Sequence, residues 1–155
     1  MSRHTQKVAL VPSAFFDAAS AREILSRTVL LDEDDKVEYI SLPEFSAELV
    51  YSLYTLPELY YVLKALSGIE GHNKIVASYA DKVLSLSIAT GDELLLANVF
   101  EAADFTTAEY FIFMAVKKLQ LNPEVSTIHF LTPLTGEEEM SLYRYFKSVE
   151  QLCGS

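Results

Sequence analysis

Three apolar runs separated by two-residue turns occupy residues 75 to 101. They are Ile75–Ala80, Val83–Thr90 and Glu93–Glu101, joined by Asp81-Lys82 and Gly91-Asp92. Such runs bounded by turn residues read as strands, and two-residue connections permit only antiparallel hairpins. The three therefore form a meander. In the middle run Leu84, Leu86 and Ile88 alternate with Ser85, Ser87 and Ala89, which predicts one packed face and one more polar face. Thr106 and Glu109 have the spacing of a capping box and predict a helix to about Leu121, which Pro123 prevents from continuing. Thr127–Leu131 reads as a fourth strand. Thr135 and Glu138 repeat the capping-box spacing and predict a final helix to about Leu152, with Glu137, Glu138 and Glu139 in a first turn whose dipole favours acid. The order from Lys74 is strand, strand, strand, helix, strand, helix.

The chain before this unit carries a different pattern. Val8–Val11 reads as a short buried strand ending at Pro12, and Asp17 as the cap of a helix to about Leu30. Asp32-Glu33-Asp34-Asp35 reads as a solvated loop. Val37–Leu42 and Glu48–Tyr54 read as strands. Thr55 and Glu58 read as a capping box for a helix with Leu59, Val62, Leu63 and Leu66 on one stripe, and Gly68 stops it. Gly68–Asn73 is the best boundary, dividing a small α/β segment (1–70) from a second unit (71–155); a single compact unit is the alternative.

Composition limits the function classes. Half of the 155 residues are hydrophobic, and 12 Lys+Arg against 22 Asp+Glu give a net charge of −10. A disordered acidic tail lacks such apolar content, and a nucleic-acid binder needs the opposite charge. Cys153, the one cysteine, has no internal disulfide partner and fits a reducing compartment. Met1 to Lys7 is polar and the next apolar run is short, so no secretory signal is expected. No run approaches the ~20 apolar residues of a membrane span. A cytoplasmic protein without a membrane span is expected.

The element order and three short words carry a resemblance. The words are Val11-Pro12-Ser13-Ala14-Phe15-Phe16, Leu94-Leu95-Leu96-Ala97-Asn98-Val99-Phe100 and Lys118-Leu119-Gln120-Leu121-Asn122-Pro123-Glu124. They resemble an uncharacterised Bacteroidetes family of unknown function with an actin-like ATPase fold, of which this chain is similar to the later part. The resemblance implies a mixed-sheet α/β fold, a ribonuclease H-like (actin-like ATPase) lobe preceded by the small α/β segment.

Two activities follow from that resemblance, and the residues argue against both. An actin-like ATPase wraps phosphates in Gly-rich turns, but the first hairpin turn is Asp81-Lys82 and the segment after the fourth strand, Leu131 to Gly136, holds one glycine. Asp81 reads as a turn residue. A ribonuclease H-like nuclease needs carboxylates converging on two metals; the first and fourth strands supply none, and Glu109 is accounted for by its cap. His4, His72 and His129 lack metal-ligand spacing, and His129 reads as an interior or edge histidine. The acidic run lacks the glycine and terminal Glu of an EF-hand loop. No catalytic, cofactor-binding or metal residue is nominated, and no cofactor is expected.

The helix from Thr106 is apolar on two sides. Ala108, Phe111, Ile112, Ala115 and Leu119 suffice to pack it on a sheet. Tyr110, Phe113 and Met114 lie on the other side, with Lys117 and Lys118 beyond. Either the segment 1–70 covers this second side, or Tyr110, Phe113, Met114 and Lys117 meet another chain or a missing lobe. Tyrosines near Tyr51, Tyr54, Tyr60 and Tyr61 suit an interface too. A non-catalytic interaction or scaffold module, binding a protein partner or a second copy, is the leading expectation. Nucleotide binding in a cleft completed by another chain or a missing lobe is the alternative.

Overall fold

The computed structural model describes residues 3–53 and 55–152. Tyr54 and Cys153, both singled out in the sequence, lie outside the described residues. The meander is present as β4 (Asn73–Ala80), β5 (Val83–Thr90) and β6 (Glu93–Glu101). Asp81 and Lys82 both adopt positive φ, 53° and 62°, the geometry that lets a two-residue turn follow the twist of its strands. β7 (Thr127–Phe130) lies parallel to β4, and β8 (Ser148–Gln151) lies parallel to β7. The sheet order is β6-β5-β4-β7-β8.

Strand β8 corrects the expectation of a helix reaching Leu152. Helix α4 (Gly136–Tyr143) opens on the expected Thr135–Glu138 capping box but ends after eight residues. The Lys147 N–H is drawn to the carbonyls of Pro123 and Ser126 at 3.1 and 3.0 Å. Phe146 and Val149 then bury in the core, and the chain pairs with β7 instead of coiling further.

The two faces of this sheet hold different cores. Ile75, Ala77, Leu84, Leu86, Ile88, Ile128 and Phe130 face helix α3 (Phe105–Lys118) and α4. Val76 and Ala89, on the other face, meet Leu59, Val62, Leu63 and Leu66 of α2 (Glu58–Ser67). Ser85 and Ser87 share that second face, which is the more polar of the two, as expected, and is packed as well. Both serines are essentially fully buried, and their hydroxyls have no hydrogen-bond partner. Small side chains there let α2 approach the sheet closely, which a row of leucines would not allow.

The first segment forms a three-stranded antiparallel sheet, order β1-β3-β2, from β1 (Val8–Pro12), β2 (Glu38–Leu42) and β3 (Ala47–Tyr51). Only Val8 of β1 is buried, so that strand is less enclosed than its apolar run suggests. One face of the sheet joins the α2 core through Val8, Leu42, Leu49 and Tyr51. The other packs on Ala21 and Leu25 of α1 (Ala21–Ser26). That helix is shorter than expected: Asp17 caps a 3-10 turn at Ala18–Ser20, and α1 ends at Ser26. The acidic loop is exposed at Asp32, Glu33 and Asp34, as expected, and is anchored at Asp35. Asp35 accepts from Lys7 Nζ and from the Asp32 N–H, each at 2.7 Å, and Arg22 donates to the carbonyls of Asp32 and Asp35.

Two expected capping boxes are replaced by tertiary bonds. Pro57 occupies the N-cap of α2, with no side-chain cap. Glu58 is buried, accepting from Arg3 Nε and from the Ser78 hydroxyl. The Arg3 guanidinium also lies 4.4 Å from the centre of the Tyr61 ring. At α3 the cap is Asp104, which accepts from the Thr107 N–H and hydroxyl at 2.8 and 2.7 Å. Glu109 is thereby freed to bury elsewhere. Replacing Leu63 by Ala should cost ~2–5 kcal/mol by opening a cavity under α2. Ser87→Ala should leave stability unchanged or raise it, because it deletes an unpartnered hydroxyl. Urea unfolding of both variants checks this; a large loss in Ser87→Ala would show that the hydroxyl is bonded.

Candidate interaction surface

Helix α3 turns one side to the sheet and the other outward. At 3.6 residues per turn, Ala108, Ile112 and Val116 fall on one line and Tyr110, Met114 and Lys117 on the opposite one. The first three are buried, together with Glu109. Tyr110 is 61% exposed and Met114 43%, and Lys117 is exposed. Phe111, Ala115 and Leu119, expected on the packing side, are only partly buried; the sheet-facing line runs through Val116 instead.

Phe113 behaves differently from its neighbours. Its ring centre lies 4.4 Å from that of Tyr145 and 5.7 Å from that of Phe146, so it is half-buried against the chain leaving α4. Tyr145 is itself 48% exposed. On the other flank Phe111 stacks on Phe100 of β6 at 5.0 Å and meets Tyr110 edge-on at 5.8 Å. The outward surface is thus Tyr110, Met114 and Lys117 with an aromatic flank of Phe113 and Tyr145. The described residues of the first segment do not cover it, and that expectation is corrected. They pack through α2 and the small sheet onto the opposite face of the five-stranded sheet. Among the described residues, exposed large apolar side chains in the first segment are Phe15, Leu30 and Tyr39; Tyr110, Met114, Val125, Met140, Tyr143 and Tyr145 all belong to α3, α4 and the turns beside them.

Glu109 holds the two helices of this surface together. Its carboxylate accepts from the Ser141 hydroxyl of α4 through both oxygens, at 3.1 and 2.8 Å. Burial raises its pKa above the ordinary 4.5, partly offset by the Ser141 bond. No local sequence signal identifies this role, because the partner stands on a different helix.

A separate cleft of about 710 Å³ lies between the Gly68–Asn73 connection and strands β7 and β8. His72, His129 and Glu150 line it. His129 is buried; its Nδ1 lies 3.3 Å from the Ile75 carbonyl and its Nε2 3.3 Å from Glu150. This is an interior histidine tied to neighbouring strands. Among the described residues no group of three or more His, Cys, Asp or Glu side chains is arranged to hold a metal ion, and no helix is long and apolar enough to cross a membrane.

The five-stranded mixed sheet with helices on both faces defines the class, a mixed α/β fold of the actin-like ATPase type. It is similar to the crystal structure of a Bacteroides thetaiotaomicron protein with actin-like ATPase fold and unknown function, with a TM-score of 0.78 and 18% identity, covering 96% of this chain. The chain spans 65% of the length of that neighbour. Over residues 59–149 the sequence matches the family described as protein of unknown function (DUF3822), and the chain belongs to that family. No curated protein matches.

The raised pKa of Glu109 couples stability to pH. The folded protein holds this proton more tightly than the unfolded chain, so the group favours folding as pH falls and opposes it as pH rises through the raised pKa. The stability of Glu109→Gln relative to the native chain should therefore increase as pH rises from about 4 to about 7. Parallel unfolding profiles over that range would contradict it.

Proposed function

We propose that this chain is a non-catalytic interaction module, and that Tyr110, Phe113, Met114 and Lys117 with Tyr145 form the surface that meets a protein partner or a second copy. One observation carries the reading: Tyr110 and Met114 stand exposed one turn apart on a helix whose opposite side is fully buried. Large adjacent apolar groups left in water beside a finished core are characteristic of interaction surfaces, and aromatic residues and methionine are enriched there. In this reading residues 1–70 and 71–155 act as one compact unit, since Leu49 and Tyr51 share a core with Val76 and Ala89. We infer a cytoplasmic setting from the single cysteine in an otherwise staple-free chain.

Nucleotide binding in a cleft completed by another chain is the competing reading, supported by the fold likeness. The backbone weighs against it. A phosphate needs free amides, yet the N–H groups of Tyr79, Leu134 and Thr135 donate to Thr132, Gln151 and Glu138 at 3.0, 3.0 and 2.9 Å.

Light scattering of the full chain at micromolar concentration, alone and with extract of its source cells, tests the proposal. The native chain should form a dimer or a stable complex that Tyr110→Ser/Met114→Ser loses without a change in melting temperature. A native chain that stays monomeric in both conditions, or a variant that associates equally well, contradicts it. A melting temperature raised by ATP and Mg²⁺ would favour the competing reading through ligand linkage.

A further inference from the structure

Two stretches that carry the outward surface are rich in cations, against the balance of the chain. From Tyr110 to Val125 and from Met140 to Val149 the sequence holds four of the chain's 12 cations and one of its 22 carboxylates, Glu124. The cations are Lys117, Lys118, Arg144 and Lys147, all exposed. Lys117 and Lys118 lie within a turn of Met114; Arg144 and Lys147 flank Tyr145, the ring that touches Phe113. Elsewhere on the molecule Arg3, Lys7, Arg27 and Lys64 are engaged in ion pairs, and Arg22 in hydrogen bonds to carbonyls, while Lys36, Lys74 and Lys82 stand singly on separate elements. Among the described residues none of the four surface cations forms one, although Arg144 is near enough to Glu109 to lower its pKa slightly. Of the acids beside these stretches, Glu109 is engaged by Ser141, Glu138 by Thr135, Glu139 by Gln151 and Glu150 by His129, and Glu137 lies in the first turn of α4, at the end away from Arg144 and Lys147.

We propose that the outer face of α3 and the end of α4 dock an acidic, apolar segment of a different protein, which inserts apolar side chains between Tyr110, Met114 and Tyr145 and sets its carboxylates against Lys117, Lys118, Arg144 and Lys147. This rests on the interaction-module reading and names its partner. Cations around an aromatic centre match the anatomy of protein interfaces, where a desolvated core carries the energy and a charged rim steers the partner. A second copy fits poorly: a two-fold contact places the same patch on both subunits and brings like cations together. A nucleic acid or an anionic bilayer fits poorly as well. Each presents an extended anionic surface to the whole side of an acidic protein, whereas a short segment feels only the local field within a Debye length of ~8–10 Å.

Fluorescence anisotropy on the full chain tests this with three labelled peptides. One is an amphipathic helix former of Leu, Phe and Glu; the second has Lys in place of Glu; the third keeps Glu but has Ser in place of Leu and Phe. The native chain should bind the first at least about tenfold more tightly than either of the others, and more weakly as salt rises. Lys117→Glu/Lys118→Glu should lower that affinity by about tenfold or more in a chain that remains folded, with only the small fall in melting temperature that acid at a helix C-terminus brings. Equal binding of the Glu and Lys peptides, indifference to the lysine reversal, stronger binding to phosphatidylserine vesicles, dimerisation through this face, or no peptide binding at all overturns the proposal. Sign-independent peptide binding, or a dimer, lost in Tyr110→Ser/Met114→Ser rejects the acidic partner but keeps the interaction module. Peptide binding unaffected by Tyr110→Ser/Met114→Ser rejects both.

Discussion

Strand β4 joins the two halves of the main sheet, pairing antiparallel with β5 over eight residues and parallel with β7 over four. It is buried on both faces from Ile75 to Ser78. One set of alternate residues, Ile75 and Ala77, receives α3 and α4; the other, Val76 and Ser78, receives α2. Every further layer is placed relative to this strand. The small sheet reaches it through α2, and β8 reaches it through β7. Because helices already cover both faces of β4, the remaining side of α3 has no sheet left to pack on.

Three buried glutamates tie these layers together by the same device. Glu48 accepts from Ser13 and Ser41 across the small sheet, Glu58 from Ser78 between α2 and β4, and Glu109 from Ser141 between α3 and α4. Hydroxyl bonds to a carboxylate offset part of the cost of burying charge. The balance differs between sites. The two serines hold the Glu48 carboxyl below its usual range, while burial pushes Glu109 up. Three of the acidic residues that make this chain so negative are therefore internal fasteners. Lys117, Lys118, Arg144 and Lys147, which have no ion pair among the described residues, lie on or beside the outward surface, while Lys36, Lys74 and Lys82, also unpaired, lie elsewhere.

The meander is legible in the sequence because its turns and alternating runs are local, and the α2 stripe because Leu59, Val62, Leu63 and Leu66 follow helical spacing. Thr135 and Glu138 close their capping box as expected. Glu58 and Glu109 have the same spacing but serve distant serines, since Pro57 and Asp104 already occupy the cap positions. Strand β8 is not legible: it is too short to show a period, and its partner strand lies on the far side of α4, with Thr127 opposite Ser148. Tyr110, Met114 and Lys117 stand exposed where the sequence shows a second apolar side of α3. Phe113 does not stand free with them, because Tyr145 and Phe146 arrive beside it from a segment whose capping box predicts continuous helix.

The outward surface exists only if Tyr110 and Met114 lie outside a finished core. Hydroxyl-radical footprinting of the purified monomer measures this directly. Tyr110 and Met114 should be oxidised far faster than the fully buried Phe130, at rates typical of solvent-exposed side chains. Protection of Tyr110 and Met114 to the level of Phe130 in a monomer would mean that the chain covers this face itself, and would contradict the account.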